Sequence, residues 1–160
     1  MSCGFDDPFG RLVEGHRKTQ DSLAWLLRLA RRAQARPLTP TEKQQLLLDL
    51  RWLRVEGRDQ ARDESDSLLP RLKNHPVNRE PIRVLESCLG RLEEARRAVE
   101  PALVGWLEDR IPESDLASRL QTLADLDRGC LEAELGPLSL TAGERADIGR
   151  EMAQRRHLVP

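Results

Sequence analysis

Four segments of this chain repeat apolar residues at intervals of three and four, and in three of them polar groups break into the apolar stripe. Spacing of that kind marks amphipathic helices that pack on one another. The interruptions are His16 in the first segment, Gln60 and Glu64 in the second, and Asp127 in the fourth. Packing gives a soluble bundle no reason to turn such groups inward, because an unpaired buried polar group costs about 1–3 kcal/mol. The pattern points to something held, or once held, between the helices.

Local signals set the ends of these helices. Asp7-Pro8 opens the first, with Asp as N-cap and Pro at the first helical position. Its inner face runs Phe9, Leu12, Val13, His16, Gln20, Leu23, Leu27, Ala30, and it stops before Ala35-Arg36-Pro37. Thr39-Pro40-Thr41-Glu42 is a capping box that starts the second helix, which follows Leu46, Leu50, Leu53, Gly57, Gln60, Glu64 and Leu68. That helix is predicted to stop near Pro70, and the stretch from Pro70 to Pro81 reads as the longest loop. The third helix takes Ile82, Leu85, Leu89, Leu92, Val99, Leu103 and Trp106, with Pro101 expected to kink or split it.

After Ile111-Pro112 a fourth helix carries Leu116, Leu120, Leu123, Asp127, Leu131 and Leu135, and Gly136-Pro137 closes it. Thr141-Ala142-Gly143-Glu144 is a second capping box, opening a short helix with Ile148 and Met152 one turn apart. No segment alternates as a strand does. The expected fold is all-α, a single domain over residues 1–160. Its form is an antiparallel up-down four-helix bundle with a short additional C-terminal helix docked outside.

Charge and composition exclude several functions. A formal net charge of −1 with interleaved acids and bases gives no basic face for nucleic acid or anionic membrane. No apolar run is long enough to span a bilayer. The start MSCGFDDPFG lacks the basic-then-apolar order of a signal peptide, so a cytoplasmic location is expected. Cys88 and Cys130 read as reduced, packed helix residues and Cys3 as a terminal one. Glycines 15, 57, 90 and 129 lie inside helices, marking either close backbone approach or plain tolerance. The arginine pairs at 31–32, 96–97 and 155–156 read as a solvated, ion-paired face, with Arg96 also near the core stripe. His75 and His157 are expected to face solvent.

Particular stretches resemble a family. Asp7-Pro8-Phe9 leading to Leu12-Val13-Glu14-Gly15-His16-Arg17 is similar to the opening of bacterial hemerythrin-like domains, the His-His-Glu cation-binding bundles. Arg62-Asp63-Glu64-Ser65-Asp66-Ser67-Leu68-Leu69-Pro70 resembles that family's acidic segment, and Glu132-Ala133-Glu134-Leu135-Gly136-Pro137 the end of its fourth helix. Ile148-Gly149-Arg150-Glu151-Met152-Ala153-Gln154-Arg155-Arg156 looks like its closing helix. The likeness covers nearly the whole chain.

The resemblance implies six metal-ligand positions, falling here on His16, Gln60, Glu64, Leu89, Asp127 and Leu131. Only His16 and Glu64 keep the family's residue. Leucine cannot ligate, and a glutamine amide is a poor ligand for iron, so a di-iron, oxygen-carrying centre is not expected. The first reading is a metal-free bundle in which Leu89 and Leu131 fill the vacated volume and His16, Gln60, Glu64 and Asp127 form a polar knot. Its role would be interaction or sensing, with an unidentified protein partner or a small ligand in the core. The alternative is one iron, manganese or zinc ion on His16, Glu64 and Asp127, completed by Gln60 or water. Catalysis is not expected, since no nucleophile is paired with a base and no phosphate-binding loop occurs.

Overall fold

The structure, a computed structural model, describes residues 7–157 (for His157 the backbone alone) and contains no strand among them. Cys3 and the expected exposure of His157 lie outside the described residues. Helix α1 spans Pro8–Ala35 and α2 Pro40–Arg62. A π-helical segment, Asp63–Leu68, carries α2 directly into the one-turn helix α3, Leu69–Leu72. A 3₁₀ turn at Pro76–Asn78 leads into α4, Arg79–Leu107, followed by α5, Glu113–Glu134, and α6, Ala142–His157. No described helix is long and apolar enough to cross a membrane.

The helix starts form where the local signals place them. Asp7 accepts from the amides of Phe9 and Gly10, both at 3.2 Å. Thr39 and Glu42 exchange hydrogen bonds of 3.2 and 2.9 Å, and Arg32 and Arg36 at the end of α1 each reach Glu42 at 2.8 Å. Each cap contributes about 1 kcal/mol. The Thr141–Glu144 box is likewise complete, at 3.2 and 2.8 Å. His75 Nε2 lies 2.8 Å from Glu144 Oε2, so His75 is half-buried against α6 rather than solvated. The Thr141 amide, then His75, lower the Glu144 carboxyl to a pKa of about 2.

Neither proline breaks the helix it sits in. Pro70 directly follows the π segment, and the helix ends two residues beyond it at Leu72, close to the expected stop. The long loop expected after it shrinks to residues 73–75. Pro101 lies on an exposed face of α4, which stays helical through it. At the end of α4, Asp109 takes a φ of 55°, and the amide of Arg110 turns back to the carbonyl of Gly105 at 2.7 Å. A helix commonly ends in this left-handed way.

Two apolar clusters make the core. The larger gathers Leu23, Leu26, Leu46, Leu92, Leu103, Leu116 and Leu120 with their neighbours. The smaller gathers Leu12, Leu68, Leu72, Ile82, Leu85, Leu138, Ile148 and Met152, and Leu89 packs against both. Helix α6 docks on α1 and the π segment and closes the smaller cluster, with the expected contacts Ile148 and Met152 fully buried. Its arginines clamp the π segment: Arg155 binds Asp63 and reaches Ser67 Oγ at 2.9 Å, and Arg156 binds Asp63 at 3.1 Å and Glu56 at 3.0 Å. Of the arginine pairs read as a solvated face, this one is part-buried and structural.

Helix α2 is the least committed of the long helices. Within it only Leu46, Gly57 and Gln60 are buried, while Leu47, Leu48, Trp52 and Val55 stay exposed. α5 packs closely along α1 and α4, whereas α2 meets those two more sparingly. Segments with few buried apolar contacts open at low cost. Amides from Leu47 to Val55 are therefore expected to exchange with solvent faster than those of α5. Equal protection of the two segments would contradict this.

Candidate metal centre

Between the two apolar clusters lies a layer of buried polar groups drawn from α1, α2, the π segment and α5. His16, one turn beyond Leu12 on α1, is fully buried. Its Nδ1 stands 3.0 Å from Asp127 Oδ1 and its Nε2 3.1 Å from Glu134 Oε2. Gln60 brings its amide to 2.6 Å from the same Nε2 and donates to Glu64 Oε1 at 3.1 Å. Glu64 Oε1 is 4.0 Å from His16 Nε2. Gln20, on the next turn of α1, fixes the other side of Asp127 by donating to Oδ2 at 2.7 Å.

The π segment is what brings Glu64 here. A wider turn places residues four apart on nearly one line, so Asp63, Glu64, Ser67 and Leu68 are all buried. Asp63 faces the α6 arginines, and Glu64 faces His16. From α4, Arg96 crosses to donate to the Gly57 carbonyl at 3.2 Å and stands 3.9 Å from Asp127 Oδ1. Gly57 allows that crossing, since a Cβ there would meet Arg96 Nε at 3.2 Å. At Gly90, by contrast, a Cβ would meet open space, so tolerance is the whole account there.

All four expected residues thus meet, but their roles differ from the sequence reading. The atoms that converge within 4.8 Å of one another belong to His16, Glu64 and Glu134. Asp127 stands on the far ring nitrogen of His16. There it fixes the tautomer that leaves Nε2 free to ligate, a familiar outer-shell arrangement. Glu134 takes the carboxylate place that the sequence reading gave to Asp127. Leu131 is only half-buried and belongs to neither apolar cluster, so it does not fill the vacated volume; Leu89 does lie between the clusters.

The reason for the misplacement is geometric. Steps of four residues turn about 400°, so two in succession drift off the buried face. After Asp127 the inward positions are Cys130 and Glu134, not Leu131 and Leu135, and Leu135 is 55% exposed. The two-turn spacing of Asp127 and Glu134 was the available signal.

Electrostatics at the layer are strongly coupled. Burial alone would lower the proton affinity of His16, but the hydrogen bonds to Asp127 and Glu134 outweigh it and raise its pKa to about 10. Burial, then repulsion from Glu134, push the Glu64 carboxyl well above the usual range, against the pull of Arg96 and His16. With the proton on Nε2, His16 serves Glu134; without it, Nε2 accepts from Gln60. Glu134 Oε1 is buried with no partner, a state that normally marks a missing hydrogen bond or cation.

A single divalent cation fits these residues. The donor set is one imidazole nitrogen and two carboxylates, suited to zinc, manganese or iron, and all three side chains are buried. A second ion does not fit, because Leu89 and Leu131 offer no donor and the Arg96 guanidinium stands beside Asp127. No family model, curated protein or solved structure matches the chain.

Proposed function

We propose that this chain is a hemerythrin-like four-helix bundle that binds one divalent transition-metal ion through His16 Nε2, Glu64 and Glu134. Asp127 orients His16, and Gln60 lies beside the same nitrogen. The pairwise neighbours α1–α2, α2–α4, α4–α5 and α5–α1 support an up-down antiparallel ring of four. The convergence of one imidazole nitrogen and two carboxylates, all buried, carries the metal reading, and the unpartnered Glu134 Oε1 adds to it.

Charge bookkeeping supports it as well. In the proton form, His16 and Arg96 carry positive charge against Asp127 and Glu134, with Glu64 neutral. A divalent ion that displaces the protons of His16 and Glu64 leaves the same net charge. Metal for two protons is therefore an exchange without excess buried charge, which avoids the several kcal/mol that an uncompensated ion would cost. Binding, rather than turnover, is the role this assigns.

A second reading rests on the close Gln60–His16 contact and on the charge balance of the proton form. In it the layer is a metal-free polar knot and the function lies on the surface, as an interaction or sensing domain. Elemental analysis of protein purified without chelators or an affinity tag separates the two. Near-stoichiometric metal is expected in the native chain, with loss in both His16→Ala and Glu134→Gln; the second keeps the side chain's shape. Asp127→Asn is expected to weaken binding by about 10–100-fold, as an orienting residue does. Absence of metal from native protein, and failure to take up added zinc, would leave the second reading standing.

A further inference from the structure

The strongest unassigned feature is a pair of cysteines on the most closely packed helix pair. Cys88 on α4 places its sulfur 3.8 Å from the carbonyl of Leu126 on α5. The same sulfur lies 3.9 Å from where a Cβ of Gly129 would stand. The next residue, Cys130, is fully buried, and both cysteines are free thiols. Cys88 is therefore seated on α5 at residues 126 and 129, packed against the buried cluster that holds Cys130, and the two thiols are neighbours. Sequence spacing gave no hint of this, since 88 and 130 share no motif.

The two thiols differ in access. Cys88 is half-buried and Cys130 has no exposure. Burial, then the neighbouring Cys88, raise the Cys130 thiol far above its ordinary range and keep it protonated. A small oxidant would meet Cys88 first, and Cys130 would act second. Cys130 also lies one turn from Asp127 and one turn from Glu134 on the same buried face of α5.

We infer that Cys88 and Cys130 form a peroxide-responsive dithiol that closes to an α4–α5 disulfide beside the polar layer. In the first step Cys88 attacks a peroxide. The O–O bond breaks, one oxygen stays on sulfur as a sulfenic acid, and the other leaves as water or an alcohol. In the second, the Cys130 sulfur attacks the Cys88 sulfur as its proton passes to the sulfenic oxygen. The S–O bond breaks, and the Cys130 proton leaves with that oxygen as water. Two electrons pass from the two thiols to the peroxide. The inference goes beyond the metal reading and does not depend on it.

The test is to treat the reduced full-length chain, stripped with chelator, with hydrogen peroxide and then to block remaining thiols. A mass loss of about 2 Da before blocking is expected, together with a peptide cross-link joining the segments that hold Cys88 and Cys130. Cys88→Ser should abolish the cross-link. Cys130→Ser should leave Cys88 trapped as a sulfenic acid open to a dimedone probe. Full alkylation of Cys88 and Cys130 after peroxide, or a cross-link from Cys3 in place of either, would overturn the inference. Omitting the metal keeps this outcome separate from any failure of the metal site.

Discussion

Raising the pH from about 7 to about 9 is expected to destabilise the metal-free protein while tightening its hold on a divalent ion. His16 keeps its proton in the folded state up to a pKa of about 10, against 6.5 when unfolded. A raised pKa means that its contribution is complete below the unfolded value and is lost as pH climbs toward the folded one. The loss is about 1.4 kcal/mol per pH unit from this group alone, or about 2–3 kcal/mol across the interval. Glu64, whose pKa is also raised, acts in the same direction, beginning from its unfolded value of 4.5.

Metal reverses the trend, because the bound ion has already displaced both protons. Apparent affinity should rise by up to about a hundredfold per pH unit while both protons are held, and by about tenfold once Glu64 has released its own. Thermal melts with chelator and with zinc, at both ends of the interval, would show the two Tm values diverging. A metal-free protein equally stable at both ends would sink the assignment of a proton to His16.

The second large effect concerns the layer without metal. His16→Leu removes the one cation bonded to both Asp127 and Glu134, each of them buried. Breaking a buried pair in this way costs about 3–5 kcal/mol, because the two carboxylates lose the cation they share. Adding Asp127→Asn and Glu134→Gln to His16→Leu should recover most of that loss, since the uncompensated carboxylates disappear while their shapes stay. Urea unfolding in chelator measures both. Equal stability of the single and triple variants would mean that lost packing, not charge, causes the damage.

How far these features could be read from the chain depends on the range of the interaction. Helix starts at Asp7, Thr39 and Thr141 were legible because a cap involves only three or four neighbouring residues. The stop near Pro70 was legible to within two residues, whereas the split expected at Pro101 does not occur and α4 stays helical through it. Pro70 directly follows the π turn, whose wider backbone gives its ring room, and Pro101 sits on an exposed face of α4. His16, Gln60, Glu64 and Asp127 were legible as intruders in apolar stripes. Glu134 was not, because a small error in phase on α5 put it beside the face instead of on it. Arg96 was legible as a group near the core stripe and does stand beside Asp127, whereas the Cys88–Cys130 pair depends on a contact between helices far apart in the chain, which periodicity does not encode.

The sparse packing of α2 has a kinetic consequence. A site with no exposed atom on His16 exchanges its contents only when some helix moves aside. The helix that leads into Gln60 and Glu64 is also the long helix with the fewest fully buried apolar side chains. Its displacement is the cheapest opening available, and it would withdraw the Glu64 ligand as it swings. Uptake and release of an ion would then be gated events, no faster than the opening rate that amide exchange in α2 reports. An ion held behind such a gate can stay long after its concentration outside has fallen, so occupancy would record past exposure as well as present supply.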